Sequence, residues 1–561
     1  MVYLQKLGLV SVIVVDRDDW GPEQIKTREA REEALREMER VVDVLVRLGS
    51  EARPILQTPV WIGKDGEMRV DREELEGVTE AVRAGEIPVL PPLAMEVTEG
   101  GGLRVSRVDA NGVVKALVVA MVQAGKDSKQ AELDFLATEE SLSSTTGSEL
   151  ATSSDDASVA SPSPLPTPIP LKSPSTLLAL SRPLDLTPFR LMIINREGGI
   201  PSYARSGLPH LTINLSSEYN FINSTFLPSW SLTHPTSLRN LQLSQSCLTL
   251  MPRSSSALIV SHRSPRSLIA NLITNKPAHS PSLPHALLDS TGRLTKDTPT
   301  LIRKGLKIKI VRKVGEFDQK KMTRLLEESF GRKLDEERFY GRLEKHLDFV
   351  IVAGDYAGAA IVTNEWEASE DERSDFIDAS STTSPSPPSS SSSSSQTPRT
   401  RPIPVCYLDK FAVLPSHQGD GTVDFLWSAL RDESFGSALP SALNSTPGSI
   451  AGTVPASGGR DLVWRSRSDN PVNKWYFERS NGFIRLGGQG GKFKLFWCDR
   501  EEARGGEEGE EGNDEDGFEV GGGGPRCPGE GEGLLGKRKE EVGRLARWER
   551  VVEPIPSAWA Y

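Results

Sequence analysis

Val405-Cys406-Tyr407-Leu408-Asp409-Lys410-Phe411-Ala412-Val413-Leu414, followed after three residues by Gln418-Gly419-Asp420-Gly421-Thr422, decides how the C-terminal half folds. The first run reads as a strand and the second as a glycine turn, with an amphipathic helix over Val423 to Asp432 opening directly behind it. Strand, glycine turn and helix N-terminus in that order make a pyrophosphate cradle. Glycine lets backbone N–H groups approach a phosphate closely, and the helix end adds partial positive charge. A short glycine turn alone is weak; the strand before it and the helix after it give it weight. Gln418, Gly419, Asp420, Gly421 and Thr422 are therefore candidate phosphate-binding residues, and His417 reads as solvated or phosphate-facing rather than as a base.

Working outward, Ile308 to Val314 reads as a strand, Phe317 to Gly331 and Leu334 to His346 as helices, and Phe349 to Ala353 with Ala357 to Thr363 as a hairpin about Gly354-Asp355-Tyr356. Beyond the glycine turn come a strand over Leu462 to Arg467, a helix starting near Asn470-Pro471, and strands around Phe483 to Leu486 and Lys492 to Trp497. The order is βααβββαβαββ. Upstream, Leu7 to Val15 is an apolar β-branched run. From Pro22, Leu35, Met38, Val41, Val42, Leu45 and Leu48 recur at helical spacing up to Gly49. Arg53 to Trp61, Glu86 to Pro92, Val105 to Ala110 and Leu191 to Asn195 read as strands and Asn111 to Val122 as a helix. Alternation of this kind implies an α/β sheet with helices on both faces. Ser141 to Pro170, Ser380 to Pro402, Phe435 to Gly459 and Asp499 to Gly536 cannot bury enough apolar surface to offset ordering entropy, so they read as disordered insertions and an acidic tail.

Length and composition bound the function. At 561 residues the chain holds two to four domains at roughly 150 residues each. Its net charge is −11, most of it from the run Glu501 to Glu519, which disfavours nucleic acid as a partner. Four separated cysteines without a C-x-x-C pair, and seven histidines without H-E-x-x-H, point to free thiols and no metal. No apolar run reaches the roughly 18 residues of a membrane span. The start carries no readable transit peptide or other address.

The chemistry-bearing residues cluster around two strands. Lys410 lies just before the cradle, and Arg465 and Arg467 alternate by two and so share a strand face. Two guanidinium forks and an ammonium suit a dicarboxylate. The aromatic-dense helix start that follows contains Tyr476, whose hydroxyl needs a partner if buried.

These residues carry a resemblance. Tyr407 to Phe411, the QGDG turn and Trp464-Arg465-Ser466-Arg467-Ser468-Asp469-Asn470-Pro471-Val472-Asn473-Lys474-Trp475-Tyr476-Phe477 resemble the acetyltransferase domain of the N-acetylglutamate synthase family. Asn195 to His210, Ser261 to Arg266 and Leu347 to Gly358 resemble its fungal branch, and the likeness runs from about Leu7 to Trp497. The resemblance implies an α/β protein: an amino-acid-kinase-like domain over 1–298, N-terminally incomplete with an insertion near 126–184, then a GNAT-type domain over 299–500 with insertions near 367–402 and 436–459. A tail over 501–561 completes the expected organisation.

The implied reaction is acetyl transfer from acetyl-CoA to the amino group of L-glutamate, the first step of arginine biosynthesis, with no metal. Lys410, Arg465, Arg467 and Asn470 would hold glutamate, Gln418 to Thr422 the CoA pyrophosphate, and Tyr476 and Asn470 would serve catalysis, Tyr476 by assisting thiolate departure. Backbone donors on the Phe411 to Val413 edge suit the oxyanion, and a phenol of ordinary pKa about 10 can supply the thiolate's proton. Asp409, Glu365 and a water relay all remain open as the base. Family behaviour implies a mitochondrial matrix enzyme, inhibited by arginine, homo-oligomeric or associated with N-acetylglutamate kinase. An arginine-sensing or scaffold subunit is the alternative, and an amino-acid kinase the least supported for want of a phosphate loop. Asp420 departs from the usual turn and sets a negative charge beside the expected pyrophosphate.

Overall fold

The computed structural model describes residues 5–6, 8–21, 23–146, 184–203, 207–283, 294–367, 404–431, 461–487, 490–498 and 530–560. The Ser-rich insertions, the Phe435 to Gly459 segment and the acidic run from Asp499 to Glu519 lie outside the described residues, apart from the start of the first, which continues a helix. Contacts divide the chain into two compact units, Met1–Ile194 with Thr236–Ile259 and Ile302–Lys304, and Asn195–Pro235 with Val260–Leu301 and Gly305–Tyr561. Among the described residues no helix is long and apolar enough to cross a membrane, and Cys247, Cys406 and Cys498 are buried.

In the first unit a parallel sheet sets Ile13–Val14 and Ala52–Pro54 on either side of Ile87–Leu90. The expected helix covers Arg28–Arg47: the Thr27 hydroxyl caps it by accepting from Ala30 N–H, and Gly49 follows its end in the left-handed region at φ 83°. Its apolar stripe buries Met38 and Leu45 against Ile87 and Val89. The run Arg53 to Trp61 is not one strand. It divides into Ala52–Pro54 and Val60–Ile62, which belong to different sheets, because Pro54 and Pro59 lack the N–H groups that a continuous ladder needs. Val60–Ile62 joins Met68–Val70, Leu93–Val97 and Leu103–Arg107 in a four-stranded sheet. The helix read over Asn111 to Val122 is Ala110–Thr146, much longer than its apolar pattern.

The second unit carries the expected βααβββαβαββ order, with β1 Ile308–Val311, α1 Gln319–Phe330, α2 Glu336–His346, β2 Leu347–Ala353, β3 Gly358–Glu365, β4 Val405–Val413, α3 Thr422–Arg431, β5 Leu462–Arg467, α4 Asn473–Arg479, β6 Gly482–Arg485 and β7 Phe493–Cys498. After β7 in the chain comes a helix, α5, over Glu530–Val552. The seven strands form one sheet in the order β1-β2-β3-β4-β5-β7-β6, antiparallel except for β4 beside β5. Local signals set the helix ends: Asp318 and Asp335 cap α1 and α2 through Lys321 and Arg338 N–H, and Gly331 stops α1 in the left-handed region.

Two apolar layers cover the sheet. On one face α3 and α4 bury Leu426, Trp427 and Tyr476 against Ile351, Leu408, Trp464 and Phe496. On the other, α1 and α2 bury Leu325, Leu326, Phe339 and Leu343 against Val350, Val352, Ile361 and Ala412. Beside them α5 packs Trp548, Val551 and Val552 on Tyr407, Val463 and Leu495. The chain end is therefore no solvated tail in its described part. Ile555 joins the α5 layer and Ala558 the α1–α2 layer.

Candidate active site

The two strands that carry the candidate residues part company. β4 and β5 pair only at Cys406–Leu462 and Tyr407–Val463, although β4 runs on to Val413 and β5 to Arg467. The opposite edge of β4 is held by β3 along its length, with Asp409 as an extra residue where the register steps from Val362–Leu408 to Ile361–Lys410. Leu414 N–H donates to Ala357 C=O at 2.9 Å. By antiparallel alternation, Ala412 and Lys410 direct their backbone groups to β3, and Phe411 and Val413 direct theirs to the edge that β5 has left. The Val413 carbonyl there accepts from Gln418 Nε2 at 3.3 Å. The N–H groups of Phe411 and Val413 face the opening, beyond the last β5 pair.

The turn behind β4 bends through two glycines in the left-handed region, Gly419 at φ 97° and Gly421 at φ 93°, which a side chain would strain. Between them Asp420 caps α3. Its Oδ1 accepts from Thr422 N–H at 3.0 Å and from Thr422 Oγ1 at 2.6 Å, and its Oδ2 lies 3.1 Å from His417 Nδ1. The helix end therefore already holds an anion of its own. Asp420→Asn keeps an acceptor for Thr422 and removes one negative charge, worth about 1 kcal/mol against a phosphate at this exposure. We expect a phosphate-bearing ligand at this turn to bind about fivefold more tightly; unchanged or weaker binding would refute this reading of the turn.

Lys410, Arg465 and Arg467 lie on the α1–α2–α5 face, and Tyr476 lies on the other. Lys410 Nζ donates to Asp409 Oδ1 at 3.1 Å and lies 5.4 Å from the Phe339 ring centre. Beneath it, Arg342 bridges two buried carboxylates, Glu365 by a close ion pair and Asp409 at 3.4 Å, while His346 Nδ1 is 3.4 Å from Glu365 Oε2. Burial pushes Glu365 above the ordinary carboxylate range despite Arg342. Burial acts on Asp409 too, but Lys410 and Arg342 outweigh it and hold that carboxyl below the ordinary range. One carboxylate is thus made the better proton acceptor and the other is kept ionised.

Arg465 donates three of its five N–H groups to the main chain just past α5: Val552 and Glu553 C=O at 3.2 Å each and Ile555 C=O at 2.8 Å. Arg467 is half-exposed and forms a two-pronged pair with Asp469 at 3.0 and 2.8 Å. Asn470 shapes the turn into α4, donating to Ser466 Oγ at 3.0 Å and accepting from Val472 N–H at 3.0 Å. Tyr476 is buried among Trp464, Trp475 and Phe496, with ring centres 5.4 to 5.7 Å away. Burial pushes its hydroxyl up to about 12, so it is protonated at neutral pH.

Sequence reasoning did not single out Arg342 or the chain end. The spacing of Arg342 and His346, four apart on one helix, was the available signal for the first. Leu545, Trp548, Val551 and Val552 at helical spacing were the signal for the second.

Comparison with known proteins bears on the whole chain. The model of the N-acetyltransferase domain of N-acetylglutamate synthase matches residues 309–439 and 457–507. A mitochondrial amino-acid acetyltransferase of Coprinopsis cinerea is 44% identical over 572 residues, covering 100% of this chain and 75% of the relative. That of Laccaria bicolor is 44% identical over 573 residues, covering 100% and 81%. Among solved structures, N-acetylglutamate synthase from Neisseria gonorrhoeae with coenzyme A and N-acetylglutamate has a TM-score of 0.41 at 13% identity, covering 89% of each chain.

Proposed function

The chain belongs to the amino-acid acetyltransferase family, with an N-acetyltransferase domain of the N-acetylglutamate synthase type, and from that premise we propose how its residues join the acetyl group of acetyl-CoA to the amine of L-glutamate. The observation that carries the proposal is the opening between β4 and β5, with free backbone donors on one side and a cation set and a protonated phenol on opposite faces.

In this reading the CoA pyrophosphate lies on the backbone of Gln418 to Thr422, and the thioester carbonyl takes the Phe411 and Val413 N–H groups at the opening. Lys410 and Arg467 hold the carboxylates of glutamate, Arg467 exchanging Asp469 for substrate. Asn470 fixes the turn between Arg467 and Tyr476. The neutral amine attacks the carbonyl carbon, forming the C–N bond, and the N–H groups stabilise the charge on oxygen. The C–S bond then breaks and the thiolate takes the Tyr476 proton; the amine proton leaves by way of the Glu365 side of the site, and the phenolate takes a proton back from solvent as the products leave. Residues 1–298 are read as an amino-acid-kinase-like domain that senses arginine. Its relatives are named mitochondrial; this reading puts the chain in the matrix, in a homo-oligomer or with N-acetylglutamate kinase.

The test mixes the purified chain with acetyl-CoA and a panel of amino acids and follows thiol release with and without arginine. Glutamate-dependent release is expected, suppressed by arginine. Release absent while acetyl-CoA still binds would move the reading to a sensing or scaffold subunit. For Arg467→Ala, loss of a charge-assisted bond to a carboxylate costs roughly 1.5–3 kcal/mol, so glutamate use should fall roughly 10- to 150-fold with acetyl-CoA binding retained. Parallel loss of acetyl-CoA binding would sink that assignment.

A further inference from the structure

The last described residues of the chain make a strap over the cation face. Arg465 anchors its near end through the carbonyls of Val552, Glu553 and Ile555, a cation at a helix C-terminus where one is electrostatically favoured. Ile555 and Ala558 are buried along its course. Its far end adds to the turn between α1 and α2: Asp335 N–H donates to Ala558 C=O and Ala560 N–H to Lys333 C=O, both at 3.0 Å, and Trp559 bridges to Leu334. The strap falls outside the residues that the acetyltransferase domain model matches.

At that far end Trp559 is partly buried, its ring 5.0 Å from Phe330, and Lys410 Nζ lies 6.0 Å from its centre. Phe339 approaches the same ammonium at 5.4 Å. An ammonium near two aromatic rings and tied to the Asp409 carboxylate at 3.1 Å and its main-chain carbonyl at 3.3 Å is confined in position while it keeps one donor to spare. We infer that the C-terminal strap is one wall of the amino-acid site, that Trp559 is a positioning residue which sets the Lys410 ammonium for a substrate carboxylate, and that Arg465 acts through the strap rather than on the substrate. The inference rests on the assignment of Lys410 to glutamate made above.

Two substitutions separate ring electrostatics from filling of space. Trp559→Leu keeps apolar bulk and removes the aromatic face; Trp559→Phe keeps a face. A cation–π contact of about 1–2 kcal/mol corresponds to roughly a 5- to 30-fold change in affinity. W559L should therefore raise the KM for glutamate about tenfold and W559F no more than about twofold, with the KM for acetyl-CoA within about twofold in both. Equal glutamate KM values in the two variants, or an acetyl-CoA KM that rises in step, would overturn the proposal in favour of plain packing. Should W559L not fold, Trp559→Met takes its place with the same readouts. Failure of the parent reading is distinguishable, because then the unaltered chain itself shows no glutamate-dependent thiol release.

Discussion

Tyr476→Phe is expected to lower turnover by roughly 10²- to 10⁴-fold, the usual worth of a positioned general acid, with little change in the KM for glutamate. Among the described residues the hydroxyl makes no hydrogen bond, so the ring's packing against Trp464, Trp475 and Phe496 survives the substitution. What is lost is the proton. The hydroxyl titrates at about 12 because burial disfavours the phenolate, so it stays protonated through the whole working range and imposes no basic limb on the rate below about pH 11. The same shift has a sign in folding. The folded state keeps the proton that an unfolded tyrosine releases near pH 10, so stability falls as pH rises from about 10 to about 12. The Phe variant lacks that slope. Steady-state rates with urea melts at pH 8 and 10.5 check both points, and unchanged turnover would remove Tyr476 from the chemistry.

How much of this was legible depended on how local each determinant is. The strand, glycine turn and helix were readable because β4, Gly419, Gly421 and α3 are contiguous, and Arg465 and Arg467 declared a common face through their spacing of two. The opening was not. Nothing in Leu462 to Arg467 says that pairing with β4 stops at Val463, since that depends on where two distant strands diverge. The bulge at Asp409 was hidden for a related reason: simple alternation fixes the faces of Tyr407 and Lys410 only if no residue is inserted between them. Composition misled at the chain end, where an acidic, glycine-rich stretch precedes the apolar positions of α5 and drew the whole tail into one class. For Arg465 the sequence showed a face but not its occupant, three main-chain carbonyls almost ninety residues downstream.

Arg342→Met should destabilise the acetyltransferase unit by about 3–5 kcal/mol at pH 7. The methionine fills similar volume, so the cost is chiefly electrostatic: Glu365 and Asp409 stay buried beside each other without the cation that bridges them. Their signs differ in the native protein. Asp409, held below its ordinary range by Lys410 and Arg342 against the burial that opposes them, contributes stability that is present above its unfolded pKa and lost as pH falls through its folded one. Glu365, raised chiefly by burial, costs stability above its folded pKa, and acidification relieves that cost. Without Arg342 both carboxyls shift upward, so lowering the pH from 7 to 5 should recover about 1.4 kcal/mol per pH unit for each that takes up a proton. Urea unfolding followed by tryptophan fluorescence reads this unit well, because seven of the ten tryptophans, Trp366 to Trp559, lie in its part of the chain. A loss of the same size at pH 5 and pH 7 would mean that Arg342 serves packing, and that the split between the two carboxylates, on which the choice of Glu365 as proton acceptor depends, does not come from their shared cation.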